Sequence, residues 1–113
     1  MKLLLAIIQP TKLSAVRDAL EHIGVERMTA CDAQGYGRQR GQLANYRGIE
    51  YKVNMLRKIC LEIWVNDDFV EPTIETILQV ARSGTAGNIG DGKIFVLPTE
   101  EAFAGELRGP GAV

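Results

Sequence analysis

KICLEIWV, residues 58–65, decides how the rest of the chain is read. Ile59, Leu61, Ile63 and Val65 recur at every second position, the period of a strand that buries one face. Trp64 alternates to the opposite side, where it is either a ligand or interface residue or packs a sheet face against a neighbouring subunit. Downstream the period lengthens. Val70, Ile74, Ile77, Leu78 and Ala81 follow a helical stripe, Asp68 and Glu71 make a D-x-x-E capping pattern, and Gly84 ends the helix. Pro72 is expected in the first turn, where its missing N–H is tolerated. A glycine-rich loop, GTAGNIGDG (84–92), then leads into a strand over KIFVLP (93–98).

The same order stands upstream. KLLLAIIQP (2–10) is a short apolar run closed by Pro10, suited to a buried strand. Leu13, Val16, Leu20 and Ile23 then form a helical stripe that Thr11 can cap and Gly24 can end. VERMTACDAQGYG (25–37) alternates loosely and reads as a second strand. The chain is therefore β-α-β, a long insertion, then β-α-β. That order predicts an α+β, ferredoxin-like split βαβ sandwich, one domain over residues 1–113 with both helices on one face of the sheet. The other face needs cover, and in so short a chain self-association supplies it most simply, so a homo-oligomer is expected.

Composition bounds the function. With 46% apolar and 24% charged residues and a net charge of −1, nothing argues for bulk binding to nucleic acid or to an anionic membrane. No apolar run reaches membrane-spanning length, and residues 3–8 are too short for a signal peptide, so a cytoplasmic protein is expected. Cys31 and Cys60 fall in apolar-rich segments and read as buried free thiols in a reducing compartment.

Two segments depart from plain packing. Residues 36–57 hold Arg38, Arg40, Arg47, Lys52 and Arg57, with Lys58 just beyond and Glu50 as the only acid. A connection of about twenty residues inside a compact domain is usually functional. The alternatives are a solvated β-ribbon and an exposed arm that docks through tyrosine and arginine anchors. The second segment is the loop 84–92 with Lys93. Closely spaced glycines let backbone N–H groups converge on an anion, so phosphate binding is chemically plausible, and a plain helix-to-strand connector is the alternative. It is no Walker A loop, because Ile94 stands where Ser or Thr would hold magnesium and the loop runs from helix to strand. His22 ends the first helix with no metal-ligand partner nearby, and Ser14 and Ser83 lack a nucleophile context.

GYGRQRG (35–41), YRGIEY (46–51), Lys58 and IGDGKIF (89–95) together resemble the P-II nitrogen-regulatory signal proteins, in order and spacing over residues 1–98. The resemblance implies a barrel-like homotrimer whose arm, the T-loop (36–57), projects from each subunit. It implies adenine nucleotide, ATP or ADP, between subunits: Ile7, Thr29, Glu62 and Trp64 around the adenosine, and Gly37, Arg38, Gly90, Gly92 and Lys93 about the phosphates. By the same resemblance Gln39 helps hold magnesium when ATP and 2-oxoglutarate are bound, and Gln39, Lys58 and Gly90 hold 2-oxoglutarate. Tyr51 matches a residue that a nucleotidyltransferase modifies in many members, and Arg47 matches an arginine inserted into ammonium-channel pores. The implied function is a sensor without turnover. Its ligands shift the T-loop between arrangements that control an ammonium channel or a metabolic enzyme of nitrogen metabolism.

The tail (99–113) differs from the family pattern R-x-R-T-G-E, since Ala104 and Glu106 stand where two phosphate-binding arginines are expected. The glycine loop is also longer, by residues around Thr85 to Asn88. A sensor of ADP, AMP or another small anion, binding ATP weakly, is the alternative. An enzyme acting on phosphate esters lacks a general base or metal cluster, and an RNA-binding sheet lacks the aromatic pattern on residues 58–65.

Overall fold

A computed structural model describes residues 1–39, 52–83 and 91–103. The order is β1 (Lys2–Ile8), a 3-10 turn (Pro10–Lys12), α1 (Leu13–His22), β2 (Thr29–Gln39), β3 (Lys52–Val65), α2 (Asp67–Ala81) and β4 (Gly92–Pro98). The four strands form one antiparallel sheet in the order β2-β3-β1-β4, the ferredoxin-like arrangement expected.

Alternation divides the sheet cleanly. Leu4, Ala6 and Ile8 of β1 and Ile59, Leu61, Ile63 and Val65 of β3 are buried on the helix side. Val16 and Leu20 of α1 and Ile77 and Ala81 of α2 complete this core, and the two helices also pack on one another. The opposite face is open. It carries Leu3, Leu5 and Ile7 on β1 and Phe95 and Leu97 on β4, the last two 48% and 40% exposed. An exposed apolar sheet face of this kind marks an interaction surface.

The local ends follow their residues. Past α1, Gly24 takes φ +90, its N–H donates to the Glu21 carbonyl, and the Val25 N–H donates to the Leu20 carbonyl. That pair of bonds is a Schellman motif, and buried Val25 and Leu20 supply its apolar contact. Thr11 does not cap α1. It lies inside the 3-10 turn, and Lys12 occupies the cap without a side-chain bond.

α2 differs from the sequence reading in three ways. It begins at Asp67 with Asn66 as cap, so Pro72 lies two residues deeper than expected, in the second turn, and the D-x-x-E pattern sits inside the helix. Leu78 is 54% exposed, whereas Thr73 is fully buried in its stead. The helix also ends at Ala81, where Arg82 turns extended. Gly84 lies outside the described residues.

β2 and β3 run further than the glycines suggest. Gly35 pairs with Leu56 and Gly37 with Asn54, so much of the expected insertion is a regular two-stranded ribbon. Glycine weakens a strand, but the ladder's main-chain bonds persist through it. Among the described residues no helix is long and apolar enough to cross a membrane.

Candidate functional site

The register sorts the open face into rows of directly opposed residues. One row runs Thr29, Glu62, Leu5, Phe95. The next runs Cys31, Cys60, Ile7, Lys93, and beyond it Lys58 stands opposite Ala33. Trp64 and Leu3 lie on the other side of the Glu62 row, with Leu97 beyond them. Residues far apart in sequence are thus gathered within a few strand spacings: Ile7, Thr29, Lys58, Glu62, Trp64 and Lys93.

Charge along this face is graded. Successive rows on one face are two residues apart, about 6.6 Å. Glu62 lies in the first polar row, Lys93 in the second and Lys58 in the third. The Lys93 Nζ also stands 5.8 Å from the centre of the Phe95 ring, a cation–π distance that holds the ammonium over the open face.

A cavity of about 440 Å³ lies beyond Trp64, toward Val25 and Phe69. A second, of about 540 Å³, opens against Thr29, Glu62 and Trp64, with Met28, Thr99, Ala102 and Phe103 as its other apolar or neutral walls. Glu26 and Glu101 add carboxylates to it and Arg27 a guanidinium. Three carboxylates beside one cation disfavour a phosphate there. They suit the hydroxyls and N–H groups of a nucleoside, with Trp64 and Phe103 as faces for a flat ring. The tail reaches this place because the Thr99 N–H donates to the Met1 carbonyl at 3.2 Å. The tail's contribution had no sequence signal beyond Phe103 being aromatic.

Asp91 was also missed. It is buried, and its carboxylate accepts from the Ser83 N–H (2.6 Å), the Ser83 hydroxyl (2.7 Å) and Gln9 Nε2 (3.3 Å). One carboxylate therefore joins the end of α2, the end of β1 and the start of β4. The signal was present in G-D-G, since an aspartate between glycines commonly ties a turn to neighbouring backbone. Gly92 has φ +137, and a Cβ there would meet the Ile7 carbonyl oxygen, so its glycine is required by strand packing whatever it binds.

Gly37, Arg38 and Gln39 lie at the far end of β2, opposite Asn54, Val53 and Lys52. Thr29 and Arg38 are nine residues apart on one strand, roughly 30 Å at about 3.3 Å per residue. They belong to separate ends of the chain's surface. Arg47, Tyr51, Gly90, Ala104, Glu106 and Arg108 lie outside the described residues. The cysteines correct the sequence reading: Cys31 is exposed and Cys60 half-buried, because both sit on the open face.

Residues 1–104 match the family model described as Nitrogen regulatory protein P-II. The chain belongs to the P-II family. Relatives span nearly the whole of it. Nitrogen regulatory protein GlnK1 of Methanosarcina mazei is 50% identical over 103 residues, 91% of this chain and 87% of that one. Nitrogen regulatory protein P-II of Azospirillum brasilense is 48% identical over 101 residues, 89% of this chain and 88% of its own. Nitrogen regulatory protein P-II 1 of Escherichia coli K12 is 48% identical over 96 residues, 85% of this chain and 83% of its own. The P-II match ends at residue 104, where the departure at Ala104 and Glu106 begins.

Proposed function

We propose that this P-II chain is a regulator that binds an adenine nucleotide, and with it magnesium and 2-oxoglutarate, between copies of itself, and that the ligand sets the arrangement of its T-loop toward a nitrogen-related partner. The observation that carries this reading is the graded open face: an acidic, ring-lined cavity at Thr29, Glu62 and Trp64, followed by Lys93 and then Lys58. Such a gradient fits a ligand with a neutral flat end and an anionic end. The nucleoside occupies the cavity, the phosphates turn toward Lys93, and Lys58 is the point charge for a dicarboxylate.

The 30 Å spacing of Thr29 and Arg38 supports a site shared between subunits. If Arg38 and Gln39 act on the same ligand as Glu62, a second copy supplies them. The apolar open face is the surface through which copies join, as a homotrimer. The protein works in the cytoplasm as a sensor and not as an enzyme, because exchange of one ligand for another already changes what it presents. Arg47 and Tyr51 are its contacts to an ammonium channel or a metabolic enzyme, and Tyr51 is the acceptor if a nucleotidyltransferase acts on it.

A second reading concerns ligand choice. The tail runs along the cavity to Phe103, one residue before Ala104. Losing two charge-assisted phosphate contacts weakens ATP by roughly a hundredfold or more, which favours ADP or AMP. Calorimetry with ATP, ADP and AMP, each with and without magnesium and 2-oxoglutarate, tests both readings. Heat with ATP and a further signal with 2-oxoglutarate supports the first, and heat with ADP or AMP alone supports the second. Silence throughout overturns nucleotide sensing.

A further inference from the structure

Trp64 borders both cavities, and Glu26 and Arg27 are the other residues that the two share. A tryptophan that serves only as core has packed neighbours on every side, because protein interiors are close-packed. Trp64 instead is half-buried on the open face, a partition between two hollows. The larger cavity has a second aromatic wall, Phe103, which comes from the tail. The segment that brings it there is fastened at both ends. The Thr99 N–H donates to the Met1 carbonyl at 3.2 Å, and Phe103 itself makes an isolated β-bridge. Phe103 is nonetheless 49% exposed, which leaves surface for a ligand to cover. Charge at this end works against phosphate: Glu26, Glu62 and Glu101 outnumber Arg27, and the chain continues into Ala104 and Glu106. Affinity here has to come from the base.

We propose that Phe103 is the specificity-determining residue of this site: with Trp64 it forms an aromatic clamp that selects a two-ring purine over a one-ring pyrimidine. The inference rests on the nucleotide reading above and adds how the base is chosen. Removing one aromatic face weakens a stacked base about ten- to a hundredfold. The gain from stacking grows with the flat area covered, which is larger for a purine. The carboxylates accept from the ribose hydroxyls and from an exocyclic amine, and so fix orientation. Cytosine carries such an amine as adenine does, so comparing ADP with CDP isolates the size of the ring.

The test uses the full-length protein in its native assembly, with ADP and CDP as calorimetric probes. Trp64, the only tryptophan of the chain, reports ring contact by its fluorescence. The wild type is expected to bind ADP about tenfold or more tighter than CDP, with quenching of Trp64 emission. Phe103→Ala should weaken ADP by about ten- to a hundredfold and CDP much less, so the preference collapses. Phe103→Tyr should keep the preference, and Phe103→Leu, apolar but not flat, should lose it. Lys93→Gln should weaken both ligands alike and leave the preference standing. A Phe103→Ala protein that keeps the wild-type preference, whether it binds as well or loses both ligands equally, overturns the clamp and leaves the nucleotide reading intact. So does ADP binding without a change in Trp64 emission. A wild type that binds neither nucleotide overturns both. The contrast between Phe103→Tyr and Phe103→Leu decides the matter even where Phe103→Ala fails to fold.

Discussion

A Cβ built on Gly92 would lie 1.9 Å from the carbonyl oxygen of Ile7. The obstacle is backbone, so no rotamer change relieves it, and φ +137 is itself a conformation that other residues resist. Gly92→Ala is therefore expected to destabilise the fold by about 3 kcal/mol or more. Urea unfolding of the two proteins gives the difference, and a change below about 1 kcal/mol would contradict this packing account.

Asp91→Ala removes three acceptor contacts and leaves the Ser83 donors partly buried without them. The expected cost is about 2–4 kcal/mol. Asp91→Asn keeps the shape and one acceptor oxygen, so its loss should be smaller. Equal stability of wild type and both variants in urea would show that the carboxylate holds nothing together.

Thr73 tests the opposite case. Its Oγ1 is buried, and no hydrogen-bond partner for it is found among the described residues. Thr73→Val keeps the branched shape and removes the unsatisfied hydroxyl. Stability is expected to stay level or rise by about 1 kcal/mol. A thermal unfolding midpoint that drops by several degrees would argue that the hydroxyl has a partner after all.

The raised Cys60 thiol gives a pH dependence. Burial is the main cause, followed by Glu62 and Cys31. A folded-state value above the unfolded one stabilises the fold below the unfolded thiol's range and loses that contribution as pH rises through the folded value. Stability should therefore decline on the alkaline side, less steeply in Cys60→Ser. Peptide-resolved alkylation should show Cys60 reacting with a midpoint above that of a free cysteine. A midpoint at or below the free value would refute the cause assigned.

Ligand contacts divide by chemistry if the graded face reads as proposed. Lys93→Gln should weaken nucleotide binding by about ten- to a hundredfold. Lys58→Gln should lose the 2-oxoglutarate response and keep nucleotide binding. Calorimetry separates the two, and identical effects from both variants would break the assignment of separate ends.

Much of this was legible from residue order. The alternation in residues 58–65 set the central strand, and Trp64, Glu62 and Lys93 fell on the open face as their periods required. What stayed hidden depended on register. Cys31 and Cys60 are distant in sequence and adjacent across two strands, which no local pattern reveals. Gly35 and Gly37 looked like breaks, yet a ladder already paired on both sides carries glycine through. Thr73 and not Leu78 stands on the buried side of α2 because Thr73, Ile77 and Ala81 recur every four residues along one face, whereas Leu78 is one step, about 100°, round the helix from Ile77. G-D-G marked Asp91 as a turn residue, but its partners Ser83 and Gln9, beside the ends of α2 and β1, could not be read from sequence.

The distance along β2 from Thr29 to Arg38 has a thermodynamic consequence. A small molecule that engages both kinds of residue must bridge two chains, so it binds the assembly and not the lone subunit. Its occupancy then rises with protein concentration as well as with its own, and the ligand in turn resists dissociation of the assembly. On the proposed function, abundance of the protein and abundance of the metabolite become two inputs to one equilibrium.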